Sequence, residues 1–480
     1  MYNLPIYNYL RKYAKENINI FHMPGHKLSR GIPQSLATDI LKLDVTEIGG
    51  TDYLHYPEGI IKEAQELAAT AFGADSTFFL VNGSTCGIQA SLMSVCTRGQ
   101  KIIIGRDSHK SVVSGLIMSG AEPVFIYPEY NRKFGINEGI TAQSIEKALC
   151  IHPDAAAVLI TRPNYYGICS DIEAIVKVVH SHGKPLIVDE AHGAHLAFSP
   201  ILPPSANRYK ADIVIQSAHK TLPAVTQGAY MHINGSLIDI EKIRFNLAML
   251  QTSSPSYIIM TYLDIARELM QTEGKEKLSH LIDEINTFKN RIAQIHGYKV
   301  LEGKYLGINT IQDATRLVLN ISGLGIGGYD AEAVLRTELS IQVEMADYEN
   351  LVLITTTADD RSTFERLYES LWKLAQIPFD SGWGRQAEKI RSLAGVQKTI
   401  GVLPALSPYE AYAAQKEQKE LKACLGRICA GVVTPYPPGI PVLYPGEIID
   451  GSKISYIESI IKLGGKVNGV GNNNSVQVVK

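Results

Sequence analysis

Between about Tyr56 and His232 the chain switches back and forth between two periodicities. In Ile60–Ala71 the apolar residues Ile60, Ile61, Ala64, Leu67, Ala68 and Ala71 fall at helical spacing, and Gly73 ends the run. Ser76–Val81 is a short apolar run, and Ile88–Cys96 returns to helical spacing. Lys101–Gly105, Pro123–Tyr127, Ala155–Thr161, Pro185–Val188 and Asp212–Gln216 are brief runs rich in Val and Ile, with a helix expected at Asp171–His182. Strands that are apolar on both faces and separated by helices predict an α/β fold, a mainly parallel sheet covered by helices. A long, charge-laced helix is expected over Thr261–Ile295. Beyond it the texture changes: strands at Arg316–Ile321 and Leu351–Thr355 and helices at Ala331–Leu339 and Ser362–Ala375 predict a smaller C-terminal α+β domain. Residues 380–480 are Pro- and Gly-rich in places, with a helix expected near Pro408–Leu421 and a loop at Thr434–Gly446. This divides the chain into an arm (1–45), a large domain (46–300) and a C-terminal domain (301–480).

Composition narrows the function classes. The 480 residues carry 46 Lys and Arg against 48 Asp and Glu, so no basic field exists to hold nucleic acid or an anionic membrane. No apolar run approaches the roughly 20 residues that span a bilayer. The start, MYNLPIYNYLRKYAKENINI, is charged and lacks the apolar core of a signal peptide, so a cytoplasmic location is expected. The six cysteines form no CxxC pair and no zinc spacing. They read as reduced, buried, small hydrophobes, and no metal is expected.

Four motifs carry the chemistry. Ser217-Ala218-His219-Lys220-Thr221 follows a predicted strand, which puts Lys220 just past the carboxyl edge of the sheet, where α/β folds bind ligands. Asp189 ends another predicted strand about 30 residues earlier, inside Val188-Asp189-Glu190-Ala191-His192-Gly193. Asn82-Gly83-Ser84-Thr85 lies between a strand and a helix and can form an anion cradle of backbone N–H and hydroxyl groups. His109, in Arg106–Ser111, follows a fourth strand. Each motif has a plainer reading: a lysine in a turn, an aspartate cap, an ordinary helix start, a solvated histidine. Together they place an amine, a carboxylate, a phosphate cradle and an aromatic ring at one sheet edge. Pyridoxal 5′-phosphate (PLP) needs all four: Lys220 for the Schiff base, Asp189 for the pyridine nitrogen, His109 against the ring, and Ser84, Thr85, Ser217 and His219 for the phosphate.

The chain resembles the bacterial Orn/Lys/Arg decarboxylases of the aspartate-aminotransferase-like PLP fold. The matching blocks are FHMPGHK (21–27), GTDYLHYPEGIIKEAQ (50–65), VNGST (81–85), RDSHKSV (106–112), TRPNYYG (161–167), VDEAHGAH (188–195), QSAHKTLPAVTQGA (216–229), QTSSPSY (251–257), VEMAD (343–347) and PYPPGIPVLYPGE (435–447). The resemblance implies the same roles for Lys220, Asp189 and His109. It places Ala191 on the opposite ring face, with His192 beside it, and brings Thr252 in from a neighbouring subunit. Long family members carry an N-terminal wing that builds decamers. Here the blocks begin by residue 21, so a homodimer or dimer-based oligomer is expected. Pro223 and Gly228 depart from the small residues commoner in the lysine block.

The implied reaction is decarboxylation of a basic amino acid, with arginine first, lysine second and ornithine third. His219 and Lys220 are the two candidates for returning a proton to Cα. The distal cation of the substrate calls for an acid, with Glu447 first, then Glu344 and Asp347, and Asp52 from a partner subunit. An aminotransferase of this fold would instead clamp the α-carboxylate, and Arg316 is available for that. A non-catalytic binding module is the remaining alternative. The glycine-rich Gly323–Gly328 does not fit a dinucleotide fingerprint and reads as a loop.

Overall fold

The computed structural model describes residues 15, 18–36, 43–379, 403–436 and 439–480. Its centre is a seven-stranded sheet: β1 (Ser76–Leu80), β2 (Lys101–Gly105), β3 (Glu122–Ile126), β4 (Val158–Thr161), β5 (Leu186–Asp189), β6 (Ile213–Ser217) and β7 (Ala229–Ile233), in the order β1-β7-β6-β5-β4-β2-β3. Neighbours pair in parallel except around β7, which runs antiparallel to both β1 and β6. β7 was not anticipated. Its sequence, AYMHI, holds a buried His232 satisfied by Thr77 and Gln216, so no apolar run announces it.

Helices cover both faces, as the two-sided apolar strands require: α1 (Ile60–Phe72), α2 (Gly83–Val95), α3 (Ser111–Ser119), α4 (Ala142–Ile151), α5 (Ile172–Ser181), the single turn α6 (Ala218–Thr221) and α7 (Ile240–Leu250). One core joins α2, α3 and α7 to the sheet through residues such as Leu92, Ile104, Leu116 and Ile215. The other joins α4 and α5 through Ile103, Ile145, Val158 and Ile175. Close approach depends on glycine at two points. A Cβ on Gly87 would lie 2.8 Å from Leu80 Cδ1, and one on Gly115 would meet Leu92 Cδ1. α2 starts five residues before the expected position, which brings Ser84 and Thr85 into its first turn.

The 36-residue α8 (Tyr257–Ile292) leads to a four-stranded antiparallel sheet of β8 (Lys299–Val300), β9 (Arg316–Asn320), β10 (Met345–Ala346) and β11 (Asn350–Ile354), in the order β8-β9-β11-β10. α9 (Gly328–Thr337) and α10 (Arg361–Gln376) pack on it. The glycine-rich stretch before α9 forms a short helical turn, Ser322–Leu324. Gly328 stands where any Cβ would collide with the carbonyl of Asp347. Near the end of the chain the expected helix Pro408–Leu421 is shorter. α11 covers only Pro408–Ala413, and Lys416–Glu420 is a strand (β12) paired antiparallel with Ser475–Val479 (β13). α12 (Gly451–Lys462) completes this unit. Five of the six cysteines are buried, but Cys150 is exposed, a correction to the reading of all six as core residues. No helix among the described residues is long and apolar enough to cross a membrane.

Candidate active site

The carboxyl ends of β1, β2, β5 and β6 lie along one edge of the central sheet and deliver the four motifs to it. The Asn82 side chain makes no capping hydrogen bond to the first turn of α2. Ser217 Oγ donates to Ser84 Oγ at 2.9 Å across this turn, so the hydroxyls from two strand ends meet beside uncapped helix N–H groups. Thr85 follows on the exposed side. This is the chemistry of an anion cradle.

Lys220 Nζ lies 3.0 Å from His192 Nε2, and Arg316 Nη2 donates to His192 Nδ1 at 3.1 Å. A guanidinium only donates, so Nδ1 accepts, and a neutral imidazole then carries its proton on Nε2, facing Lys220. That arrangement requires an uncharged Lys220 amine. Desolvation pushes the Lys220 amine below its ordinary range, although Asp189 and Glu344 oppose the shift. His192 is driven far down by burial above all, and further by the Arg316 guanidinium, so it stays neutral. Asp189 is raised by burial, against the pull of Lys220. Among the described residues its one hydrogen-bond donor is the N–H of buried Ala191 (3.2 Å), so the carboxylate keeps room for a further donor.

His109 accepts the Ser111 N–H on Nδ1 at 3.2 Å, and burial lowers it to about 4. Gly439, with φ +86°, lies against its ring; a Cβ there would be 3.4 Å from His109 Cδ2. His219, also lowered to about 4 by burial, gives its Nδ1 proton to the Gly228 carbonyl (3.1 Å). A neutral His219 therefore has no proton left on Nε2 for a phosphate.

Of the four acids expected at the cation end, Glu344 is the one that acts on the Lys220 amine. Its Oε1 accepts from Tyr165 Oη at 2.5 Å and its Oε2 from Met23 N at 3.0 Å. The Tyr165 ring stands 4.7 Å from that of His192. The other three have hydrogen-bond partners within this chain. Glu447 is bound by Arg106 through Nε (3.1 Å) and Nη2 (2.9 Å) and accepts from Tyr444 N. Asp347 is buried among Asn350, the Glu349 N–H and the Tyr166 hydroxyl. Asp52 caps α1, accepting from the backbone N–H groups of Glu58, Gly59 and Ile61. Thr252 is exposed, its carbonyl 2.9 Å from His55 Nε2.

Three features have surroundings that the sequence did not show. Arg316, at the start of β9, is 1% exposed and leaves Nε and Nη1 without a hydrogen-bond partner among the described residues. The segment Phe21–Lys27 forms one wall: Gly25 N donates to His219 O at 2.7 Å, and Lys27 Nζ donates to Ile354 O at 2.7 Å. Arg106, over the Tyr444 ring at 4.2 Å, donates to the carbonyls of Pro441 and Val442 and so ties the loop behind His109 to the sheet. Its signal in the sequence was only that it precedes His109 by three residues.

This geometry has relatives. Residues 4–313 match the Orn/Lys/Arg decarboxylase major domain and residues 392–474 its C-terminal domain. The chain is 38% identical to arginine decarboxylase of Bacillus subtilis, over 97% of this chain and 95% of that protein, and 38% identical to arginine decarboxylase of Bacillus anthracis, over 98% and 95%. Lysine decarboxylase LdcA of Pseudomonas aeruginosa is 24% identical over 92% of this chain and 73% of its own length. In three dimensions the Francisella novicida lysine decarboxylase LdcF superposes with a TM-score of 0.79 at 20% identity, covering 99% of this chain and 81% of that one. Ureidoglycine-glyoxylate aminotransferase of Bacillus subtilis gives 0.60 at 14% identity, covering 79% and 98%. With two family domains spanning the chain and relatives at 38% identity along nearly its whole length, this protein belongs to the Orn/Lys/Arg decarboxylase family.

Proposed function

We propose that the chain holds PLP on Lys220 and decarboxylates L-arginine to agmatine and CO₂, a cytoplasmic step of polyamine synthesis, with lysine and then ornithine as the runner-up substrates. The observation that carries this reading is the desolvated Lys220 amine facing the buried Asp189 carboxylate at the sheet edge that also holds the Ser84–Ser217 hydroxyl pair. PLP, when bound, supplies an electron sink for the bond broken at Cα. Asp189 would keep the ring nitrogen protonated, His109 and Ala191 would pack on its two faces, and Ser84, Thr85 and Ser217 would donate to the phosphate. His192, oriented by Arg316, would hold Nζ of Lys220 in place. Lys220 is the better proton carrier to Cα, because the ring proton of neutral His219 is given to Gly228. Glu344 would receive the substrate's distal cation. Arginine leads because the relatives at 38% identity bear that name.

The active unit we propose is a homodimer. Tyr56, Phe245 and Met249 are 79%, 69% and 53% exposed, apolar, and close in sequence to Thr252 or its contact His55, which suits a second copy that presents Thr252 to the neighbouring site.

The test is a product assay on PLP-loaded protein with arginine, lysine and ornithine side by side. CO₂ with agmatine supports the proposal, while cadaverine or putrescine as the main amine would move the substrate. One observation favours a second reading: Nε and Nη1 of Arg316, without a partner among the described residues, could clamp an α-carboxylate, as an aminotransferase needs. A keto acid in the same assay, without CO₂, would establish that reading instead.

A further inference from the structure

We propose that Tyr165 is a positioning residue that aims the Glu344 carboxylate as a two-pronged acceptor, and that it thereby sets a preference for a guanidinium over a primary ammonium at the far end of the substrate. This rests on the decarboxylase reading above, in which Glu344 meets that end. Tyr165 stands on the loop after β4, and its neighbours hold that loop in place. Asn164 Oδ1 accepts from Tyr166 N and Ile168 N, both at 3.0 Å, and Asn164 Nδ2 donates to the carbonyls of Asn137 and Glu138 at 2.9 Å. Tyr166 Oη donates to Asp347 at 2.9 Å, and Tyr165 Oη donates to Glu344 Oε1 at 2.5 Å. Two adjacent tyrosines thus clip the loop to two acids. Asp347 is buried, whereas Glu344, just after the strand Ile341–Val343, is only half-buried.

Direct contacts put this pair beside the reacting amine. The Tyr165 ring packs edge-on at 4.7 Å against the ring of His192, whose Nε2 lies 3.0 Å from Lys220 Nζ. From the other side Met23 N donates to Glu344 Oε2 at 3.0 Å, and two residues on, Gly25 N donates to the carbonyl of His219, next to Lys220. Burial, and then the Glu344 charge, push the Tyr165 hydroxyl well above its ordinary range, so it keeps its proton and donates it to the carboxylate. A carboxylate accepts about four hydrogen bonds, two on each oxygen. Among the described residues the Glu344 carboxylate has one donor on each oxygen, Tyr165 Oη and Met23 N, and no ion pair. One accepting position per oxygen remains. That is the fork a planar guanidinium fills with two parallel N–H bonds, and it works only while the plane of the carboxylate is held. A compact ammonium needs the charge and little of the orientation. Of the two donors that hold the plane, Met23 N is backbone, so the Tyr165 hydroxyl is the one a side-chain substitution removes.

The experiment compares PLP-loaded wild type, Tyr165→Phe, Glu344→Gln and the double variant. Binding of arginine and of lysine is read from the change in near-visible absorption, and turnover from CO₂ release with each. Tyr165→Phe keeps the ring on His192 and removes only the donor. Its arginine Kd and KM should rise about tenfold, the loss of one charge-assisted hydrogen bond, with the lysine values moving less than about threefold and the loss falling on KM rather than kcat. Glu344→Gln should weaken both amino acids. Adding Tyr165→Phe to it should change neither Kd further, because Tyr165 acts through Glu344. PLP titration of the variants without amino acid should match wild type, which excludes a misfolded site. An unchanged arginine-to-lysine ratio of Kd in Tyr165→Phe overturns the proposal, as does a further loss in the double variant as large as that in Tyr165→Phe alone, or arginine failing to bind wild type. If wild type binds arginine but releases no CO₂, the decarboxylase reading falls while the Kd ratios still decide the role of Tyr165.

Discussion

Substituting Glu447 separates an anchor from a substrate-binding acid. Its oxygens accept from Arg106 Nε and Nη2 at 3.1 and 2.9 Å and from Tyr444 N at 3.1 Å, with Lys453 Nζ at 3.5 Å. The paired side chains are 7% and 8% exposed, so salt and solvent screen them little. Removing one partner strands the other charge in a dry site, which costs about 3–5 kcal/mol. Glu447→Leu and Arg106→Leu should therefore each lower stability by about that much. The double variant should fall short of the sum, leaving a coupling energy of at least about 2 kcal/mol. Urea unfolding followed by far-ultraviolet circular dichroism measures all four proteins. Burial alone would raise the Glu447 carboxyl, but Arg106 and Lys453 hold it below its ordinary value. Its contribution is thus present above the unfolded carboxylate pKa and is lost as pH falls through the lower folded value, so wild type and Glu447→Gln should converge below about pH 4. The reasoning is refuted if the single substitutions leave the urea midpoint unchanged, or if Glu447→Gln raises only the arginine KM.

Three further outcomes are expected. Gly25→Ala places a Cβ 2.6 Å from Leu222 O, against the turn that carries Lys220; thermal unfolding should show a loss of about 1–3 kcal/mol, and PLP titration a weaker site. Asp107 has both oxygens buried without a hydrogen-bond partner among the described residues, and burial raises its carboxyl to about 7. A raised acid destabilises progressively as pH climbs from about 4 to about 7, so Asp107→Asn should be more stable than wild type at pH 8 by a few kcal/mol, on the order of 3, and no more stable at pH 4, as thermal melts at the two pH values would show. Asp52→Ala should cost about 1–2 kcal/mol through the lost α1 cap and leave the arginine KM unchanged; a KM rise without destabilisation would return Asp52 to the substrate site.

The sequence by itself determined the chemistry that sits at strand ends. Lys220, Asp189 and His109 each follow a short Val- and Ile-rich run and Ser84 a short apolar one, and strands running the same way deliver their carboxyl ends to one edge, so local pattern was enough to gather them. It could not determine what each acid pairs with. Glu447, Asp347 and Asp52 look alike in a sequence, yet the partner of Glu447 lies 341 residues away. The same holds for Lys416–Glu420: five polar and charged residues with a helical look become a strand because Ser475–Val479 offers a ladder of hydrogen bonds. Arg316 belongs to this group too, since a strand-initiating arginine shows nothing of the buried histidine it reaches 124 residues back. Local periodicity reports which face of an element is apolar. The pairing of buried charges is set by which elements pack together, and that only the tertiary structure decided.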